Sequence, residues 1–240
     1  MTDSASRVAL VTGASRGIGY AAALALAKAG VEIIATARTI GGLEELDDDI
    51  SALGGKATLV PMDLADRPAM AKLAGAIHER WGKLDIMVAN AGVLGVLTPV
   101  SHMDEETWDE VMDINLSAIW RMIRVFDPLL RLSPAGRAIL MTSSAADGGS
   151  YPYWSAYAAS KAGLEALGKC WAAEVSSTQL KVNILNPGGV ATRMFASAYP
   201  GADLASMPQP EDISPAFVTL AAEDCPYHGE VLRASQLTGS

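Results

Sequence analysis

Short runs of β-branched and apolar residues alternate along the chain with longer stretches of helical periodicity. The runs predict strands at Val8–Thr12, Glu32–Ala37, Thr58–Met62, Asp85–Ala89, Ala138–Thr142, Lys181–Leu185 and Glu230–Ala234. Between them the apolar spacing predicts helices at Ile18–Ala29, Leu43–Leu53, Arg67–Trp81, Glu105–Leu132, Ala156–Ser177 and Glu211–Ala222. Val8-Ala-Leu-Val11 and Ile86-Met-Val88 are apolar without alternation, as strands covered on both faces require. Alternating βα units with such strands imply an α/β, Rossmann-type, doubly wound parallel sheet of seven strands, with helices on both faces.

Punctuation fits these elements. Gly30 and Gly54-Gly55 stand where helix C-terminal caps belong. Asp104 before Glu105 and Glu106 reads as a helix N-terminus, and Asp47-Asp48-Asp49 as solvated helix surface. Pro128 is expected to kink the long Glu105–Leu132 helix, with Pro134-Ala-Gly136 ending it. No linker or repeat divides the chain, so residues 1–240 are expected to form one domain. One irregular stretch, Met194 to Pro210, predicts either a lid near residues 193–210 or a plain surface loop.

Bulk charge narrows the partners. The formal net charge of −9 argues against a nucleic acid or an anionic membrane surface, since either needs a basic field. Apolar runs are broken by charges before reaching spanning length, and the first residues show no secretory pattern. Cys170 and Cys225 have neither metal-ligand spacing nor a pairing pattern. A cytoplasmic protein without metal is the expectation.

Two motifs carry chemistry. Gly13, Gly17 and Gly19 fall between the first strand and the first helix. Glycines there allow a tight turn and close backbone approach, and free N–H groups with the helix dipole favour a pyrophosphate. The spacing departs from G-x-G-x-x-G, so a purely structural turn stays open. The second strand ends Ala35-Thr-Ala37-Arg38, where an acidic residue would hold a ribose 2′-hydroxyl and an arginine a 2′-phosphate. Arg38, with Arg16 in the turn, therefore favours NADP(H) over NAD(H). Downstream, Tyr157 and Lys161 are four residues apart on one predicted helix. They share a face, where a cation beside a phenol favours the phenolate and makes an acid/base pair.

Taken in order, these motifs resemble the short-chain dehydrogenase/reductase family and are similar to its 3-oxoacyl-carrier-protein-reductase-like members. Thr12-Gly-Ala-Ser-Arg-Gly-Ile-Gly19 resembles the family's cofactor turn, which brings in Ser15, Arg16 and Ile18. The resemblance assigns Asp63-Leu64 to the adenine ring, Asn90-Ala91-Gly92 to the cleft, and Pro187, Gly188, Val190 and Thr192 to the nicotinamide end. It makes Asn115, Ser144, Tyr157 and Lys161 a catalytic tetrad, with Tyr157 and Lys161 also touching the cofactor. The implied activity is hydride transfer between NADP(H) and a ketone, aldehyde or alcohol. Tyr157 is the acid/base, Ser144 bonds the same oxygen, Lys161 serves the ribose, and Asn115 holds a relay water. Family members pair long helices across a dimer axis, so a homodimer or homotetramer is expected, although Val231–Ser240 replaces the family's terminal Gly-Gly segment.

The substrate is less sharply drawn. Val93, Leu94, Gly148, Ser150, Tyr151, Tyr153, Trp154, Met194, Phe195 and Tyr199 neighbour the motifs and predict an apolar, aromatic wall. A small or medium apolar carbonyl or alcohol follows. A 3-oxoacyl thioester would use Arg121 and Arg124 as a docking patch, which the acidic balance opposes. A non-catalytic NADP(H)-binding scaffold is disfavoured by the complete tetrad. An epimerase or dehydratase is disfavoured by chain length, and a methyltransferase by its having no need of Tyr157, Lys161 and Ser144.

Overall fold

Each strand sends alternate residues into two different apolar layers. Ala9, Val11, Ile33, Ala35, Ile86 and Val88 face one layer, and Val8, Leu10, Ile34, Met87 and Ala89 face the other. The computed structural model, which describes residues 6–149 and 151–238, assembles these strands into one sheet. The strands are β1 (Val8–Thr12), β2 (Glu32–Ala37), β3 (Ala57–Pro61), β4 (Ile86–Ala89), β5 (Arg137–Met141), β6 (Lys181–Asn186) and β7 (Val231–Arg233). Their order is β3-β2-β1-β4-β5-β6-β7, and every pair is parallel.

The helices are α1 (Gly17–Lys28), α2 (Gly41–Ala52), α3 (Arg67–Trp81), α4 (Glu105–Met112), α5 (Ala118–Arg131), α6 (Ser155–Val175), α7 (Arg193–Ala198), α8 (Pro210–Ile213) and α9 (Pro215–Ala221). Leu26 of α1, Leu43 and Leu46 of α2 and Phe217 of α9 fill the first layer. Leu73 of α3, Phe126 of α5 and Leu164 and Trp171 of α6 fill the second. Both sheet faces are therefore covered, as the uninterrupted apolar strands require. The winding direction reverses between β1 and β4, which opens a crevice at their C-terminal ends.

Three predicted elements differ from those observed. Glu105–Leu132 is not one helix, because a π-helical turn at Asp113–Ser117 separates α4 from α5. The interruption lies there, whereas α5 runs through Pro128. Glu211–Ala222 is split at Ser214, where Pro215 starts a new helix. Met194–Pro210 is partly regular, since Thr192 caps α7 by accepting a hydrogen bond from the Phe195 N–H at 3.1 Å. Asp203 then caps a short turn at Leu204–Ser206. The Asp104 N-cap forms as expected, its carboxylate accepting from the Thr107 N–H at 2.7 Å. Among the described residues no helix is long and apolar enough to cross a membrane, and no cluster of His, Cys, Asp or Glu is arranged to hold a metal.

Candidate active site

The crevice is a cleft of about 810 Å³. It brings together Gly13, Ser15, Arg16, Gly17 and Ile18 with Arg38, Asp63 and Leu64. Asn90, Ala91, Gly92, Tyr157, Lys161, Pro187 and Thr192 complete the predicted residues that line it. Gly19, Asn115, Ser144, Gly188 and Val190 lie outside its lining. Val190 is buried in the core beside α1 and α9, and Gly188 is exposed with a φ of 74°. Of the expected substrate wall, Val93, Leu94 and Met194 line the cleft, and Ser150 lies outside the described residues.

One residue to which the sequence reading gave no role sets the cleft floor. Thr12, at the end of β1, accepts hydrogen bonds through Oγ1 from the Asn90 and Ala91 N–H groups, both at 3.0 Å. Asn90 returns one from Nδ2 to the Thr12 carbonyl at 2.9 Å. These bonds tie the ends of β1 and β4 together across the switch point. A threonine at the end of a βα turn is the only signal for this role in the sequence.

The glycine turn is closed by contact. Gly13 has a φ of 66°, a region that favours glycine. A Cβ on Gly19 would stand 2.3 Å from the Gly13 carbonyl oxygen and 2.5 Å from Asn90 Nδ2. The backbone is thus cradled with no room for a side chain at Gly19, and the N-terminus of α1 faces the cleft. Arg16 and Arg38 are exposed at its edge, and among the described residues neither forms an ion pair. A helix N-terminus with two unpaired guanidiniums suits a phosphate-bearing group.

At the other end, α6 presents Tyr157 and Lys161, 8 % and 4 % exposed. Lys161 Nζ donates to the Met141 carbonyl at 2.8 Å and stands 5.7 Å from the Tyr157 ring centroid. Burial pushes the Tyr157 phenol up from its ordinary value, and the Ser143 hydroxyl opposes this in part. The expected lowering by Lys161 is not displayed, because burial outweighs the other influences on the phenol. A phenol that keeps its proton is suited to donating it. Ser144 Oγ lies 3.3 Å from Asn186 Nδ2, so the hydroxyl acting on Tyr157 belongs to Ser143.

The π turn explains Asn115. Its Oδ1 accepts from the Val93 N–H at 2.8 Å, and its Nδ2 donates to the Val93 carbonyl at 2.8 Å. A Cβ on Gly92 would lie 3.1 Å from Asn115 Oδ1 and 3.6 Å from Lys161 Nζ, so these two side chains flank Gly92. A second link holds the end of β5 to α6, where Thr142 Oγ1 donates to Glu165 Oε1 at 2.8 Å. Arg121, which the disfavoured thioester reading would need as a docking cation, is 8 % exposed and paired with Asp113 of the π turn at 2.8 Å.

Burial pulls the Lys161 ammonium down to about 8 from 10.5. Between these values the unfolded chain binds more protons than the folded one, so stability rises with pH across that window. Below about pH 8 the cost of burying the ammonium is present in full. Lys161→Met has no such proton, so the wild-type-minus-variant unfolding free energy is expected to increase from pH 8 to 10.5 in a urea series. A pH-independent difference would show that the ammonium is not desolvated.

The family model described as short chain dehydrogenase matches residues 7–203. The chain belongs to the short-chain dehydrogenase family. By that membership it is an oxidoreductase of the family's α/β fold. It is similar to the oxidoreductase YciK of Escherichia coli strain K12, 34 % identical over 221 residues that cover 91 % of this chain and 87 % of YciK. Among solved structures, a short chain dehydrogenase of Shigella flexneri 2a strain 301 complexed with NADP superposes with a TM-score of 0.91. It is 34 % identical and covers 95 % of this chain and 97 % of its own. One from Escherichia coli CFT073 complexed with NADPH gives 0.89 at 34 % identity, over 95 % and 96 % of the two chains.

Proposed function

We propose that this short-chain dehydrogenase interconverts a carbonyl and an alcohol with NADP(H), Tyr157 exchanging the proton. One observation carries the reading. A buried phenol and a buried ammonium on α6 face the same cleft as the glycine turn and the unpaired Arg16 and Arg38. The Shigella and Escherichia structures complexed with NADP and NADPH support the cofactor.

The N-terminus of α1 and the turn residues Gly13, Ser15, Gly17, Ile18 and Gly19 would hold the pyrophosphate, with Arg16 and Arg38 on the 2′-phosphate. Asp63 and Leu64 would meet the adenine, and Asn90, Ala91 and Gly92 would floor the cleft. Pro187, Gly188, Val190 and Thr192 would support the nicotinamide side through their backbone segment. The bound cofactor supplies or accepts the hydride. Tyr157 gives its proton to the carbonyl oxygen during reduction, and burial keeps that proton in place beforehand. Lys161 exchanges part of its Met141 contact for ribose hydroxyls and supplies the positive field for the phenolate that remains. Ser143 and Ser144 bracket the reacting oxygen from the end of β5, Ser144 after leaving Asn186. Asn115 holds Gly92 and Val93 in place next to Lys161.

Residues 193–210 form the lid in this reading, built from α7 and the turn that follows. Exposed Trp108 on α4 and Trp120 on α5 support self-association through these helices as a homodimer or homotetramer. The reduced Cys170 and Cys225 fit the cytoplasmic expectation.

A panel of ketones and aldehydes followed by NADPH absorbance tests the reading. Turnover with a clear kcat/KM preference for NADPH over NADH is expected. Arg38→Ala is expected to narrow that preference by about tenfold or more, as loss of a charge-assisted phosphate contact of roughly 1.5–3 kcal/mol implies. A wild-type preference for NADH would remove the role given to Arg38.

A further inference from the structure

Tyr157, at the reacting end of the cleft, is backed by a group of rings that lies beside the cleft lining. The Trp154 ring stands edge-on to Tyr157, with centroids 5.7 Å apart and planes at 72°. It also meets Tyr151 at 6.1 Å and Tyr199 at 5.7 Å, and Tyr199 meets Phe195 at 4.9 Å. These rings come from two separate elements, the turn before α6 and the helix α7. The chain of contacts continues to the segment after β6, because a Cβ on Gly189 would lie 3.5 Å from the Phe195 ring and 3.4 Å from Met207 Cε. Rings and a thioether therefore run from the proton-bearing phenol to the Pro187–Gly189 segment across the cleft.

Their faces are not all consumed by mutual packing. Tyr151 and Tyr199 remain 37 % and 42 % exposed. A cavity of about 530 Å³ adjoins Tyr199, lined also by Phe195, Pro200, Asp203 and Met207 among others. The rings themselves are uncharged, and Asp203, which also lines that cavity, is engaged in capping the Leu204–Ser206 turn by accepting from the Ala205 N–H. Arg193 follows Thr192, whose Cγ2 stands 3.6 Å from a Cβ position on Gly17, so that step of the chain lies beside the phosphate turn. Asp147, on the loop leading to Tyr151, is paired with Arg233 at 3.1 Å.

Resting on the carbonyl-reducing reading above, we propose that the substrate is a ketone carried on a fused, planar aromatic ring system, and that Trp154 determines this specificity. Flat π faces meet such rings in offset or edge contacts and gain beyond area burial, whereas a puckered saturated ring of equal carbon count gains only the burial. The phenolic tips of Tyr151 and Tyr199 lie at the exposed rim, where they hydrogen-bond polar ring substituents. In the reaction the carbonyl carbon receives a hydride and its oxygen the Tyr157 proton. One C=O becomes CH–OH, and one reduced nicotinamide is oxidised.

The test compares β-tetralone with trans-β-decalone as substrates under saturating NADPH. It also compares calorimetric binding of β-naphthol and trans-β-decalol to the protein with NADP+. The aromatic member of each pair is expected to be preferred by roughly tenfold, the scale of one or two aromatic contacts. That ratio is expected to fall toward one in Trp154→Leu and to survive in Trp154→Phe. Tyr199→Leu, on a different element, repeats the loss if Trp154→Leu does not fold. Equal handling of the two rings by the wild type, or an undiminished ratio in folded Trp154→Leu and Tyr199→Leu, overturns the proposal. Preferential, Trp154-dependent binding of β-naphthol without turnover of either ketone would support the aromatic site and sink the carbonyl-reducing reading instead. Neither turnover nor binding overturns both.

Discussion

Tyr157→Phe is expected to lower kcat by about 10²–10⁴-fold, the usual contribution of a positioned acid/base, with NADPH affinity unchanged. The substitution removes one oxygen from a side chain that is 8 % exposed, so no large cavity opens. The ring keeps its edge contact with Trp154, and Lys161 keeps its bond to the Met141 carbonyl. Folding and the phosphate end of the cleft are therefore left alone. Steady-state turnover on an accepted ketone, paired with a fluorescence titration of NADPH, separates the two effects. Near wild-type turnover would mean that another group supplies the proton. The serines refine the expectation, because burial raises the phenol while Ser143 opposes it. Ser143→Ala acts on that balance directly, and Ser144→Ala acts through a residue that rests on Asn186.

The second large effect is predicted for Gly19→Ala. Helix propensity alone favours alanine over glycine by about 1 kcal/mol inside a helix such as α1. Contact decides the other way, because the new methyl would stand 2.3 Å from the Gly13 carbonyl oxygen. That neighbour is backbone with its own φ of 66°, so it moves only if the turn opens. Overpacking of this kind costs about 1–3 kcal/mol and here falls on the groups that face the phosphates. The expected result is lower stability in urea unfolding and an NADPH affinity reduced by at least about tenfold. Gly75→Ala is the control, since a Cβ there meets nothing within 4 Å on the exposed side of α3. Its stability is expected to rise by about 0.5–1 kcal/mol with cofactor binding unchanged. If Gly19→Ala bound NADPH as the wild type does, the turn would not be the phosphate cradle.

Strands were legible because burial on both faces writes continuous apolar runs, and β1 and β2 fall at the residues expected. Helix α3 was legible through its periodicity and falls at the expected Arg67–Trp81, closed in the structure by the Asp66 N-cap and Gly82. The Asp113–Ser117 turn was not, because one extra residue in a π turn leaves the surrounding apolar periodicity nearly intact. Residues 194–210 read as irregular since α7 has six residues and depends on the Thr192 cap more than on periodicity. In the candidate site, spacing placed Tyr157 and Lys161 on one helix face, and the resemblance joined them to the glycine turn. Spacing carries no information on rotamers, so the Ser143 hydroxyl that acts on the phenol went unread beside Ser144, to which the resemblance gave the substrate oxygen. It also could not distinguish the paired Arg121 from the unpaired Arg16 and Arg38, which depends on where Asp113 lies after folding. Thr12 went unread because its partners, the N–H groups of Asn90 and Ala91, are backbone.

The Asn115 clip has a consequence for how such a site diversifies. Its amide addresses the N–H and the carbonyl of Val93, so it grips the main chain and ignores the side chain attached to it. Aspartate offers no donor for the carbonyl, and leucine offers neither partner, so the clip itself has little freedom to drift. The residues it holds are freer. Val93 and Leu94 line the cleft on a path whose course does not depend on their identity. Substitutions there remodel the pocket without moving the lysine next door, which lets the choice of molecule evolve while the proton-handling machinery stays in place.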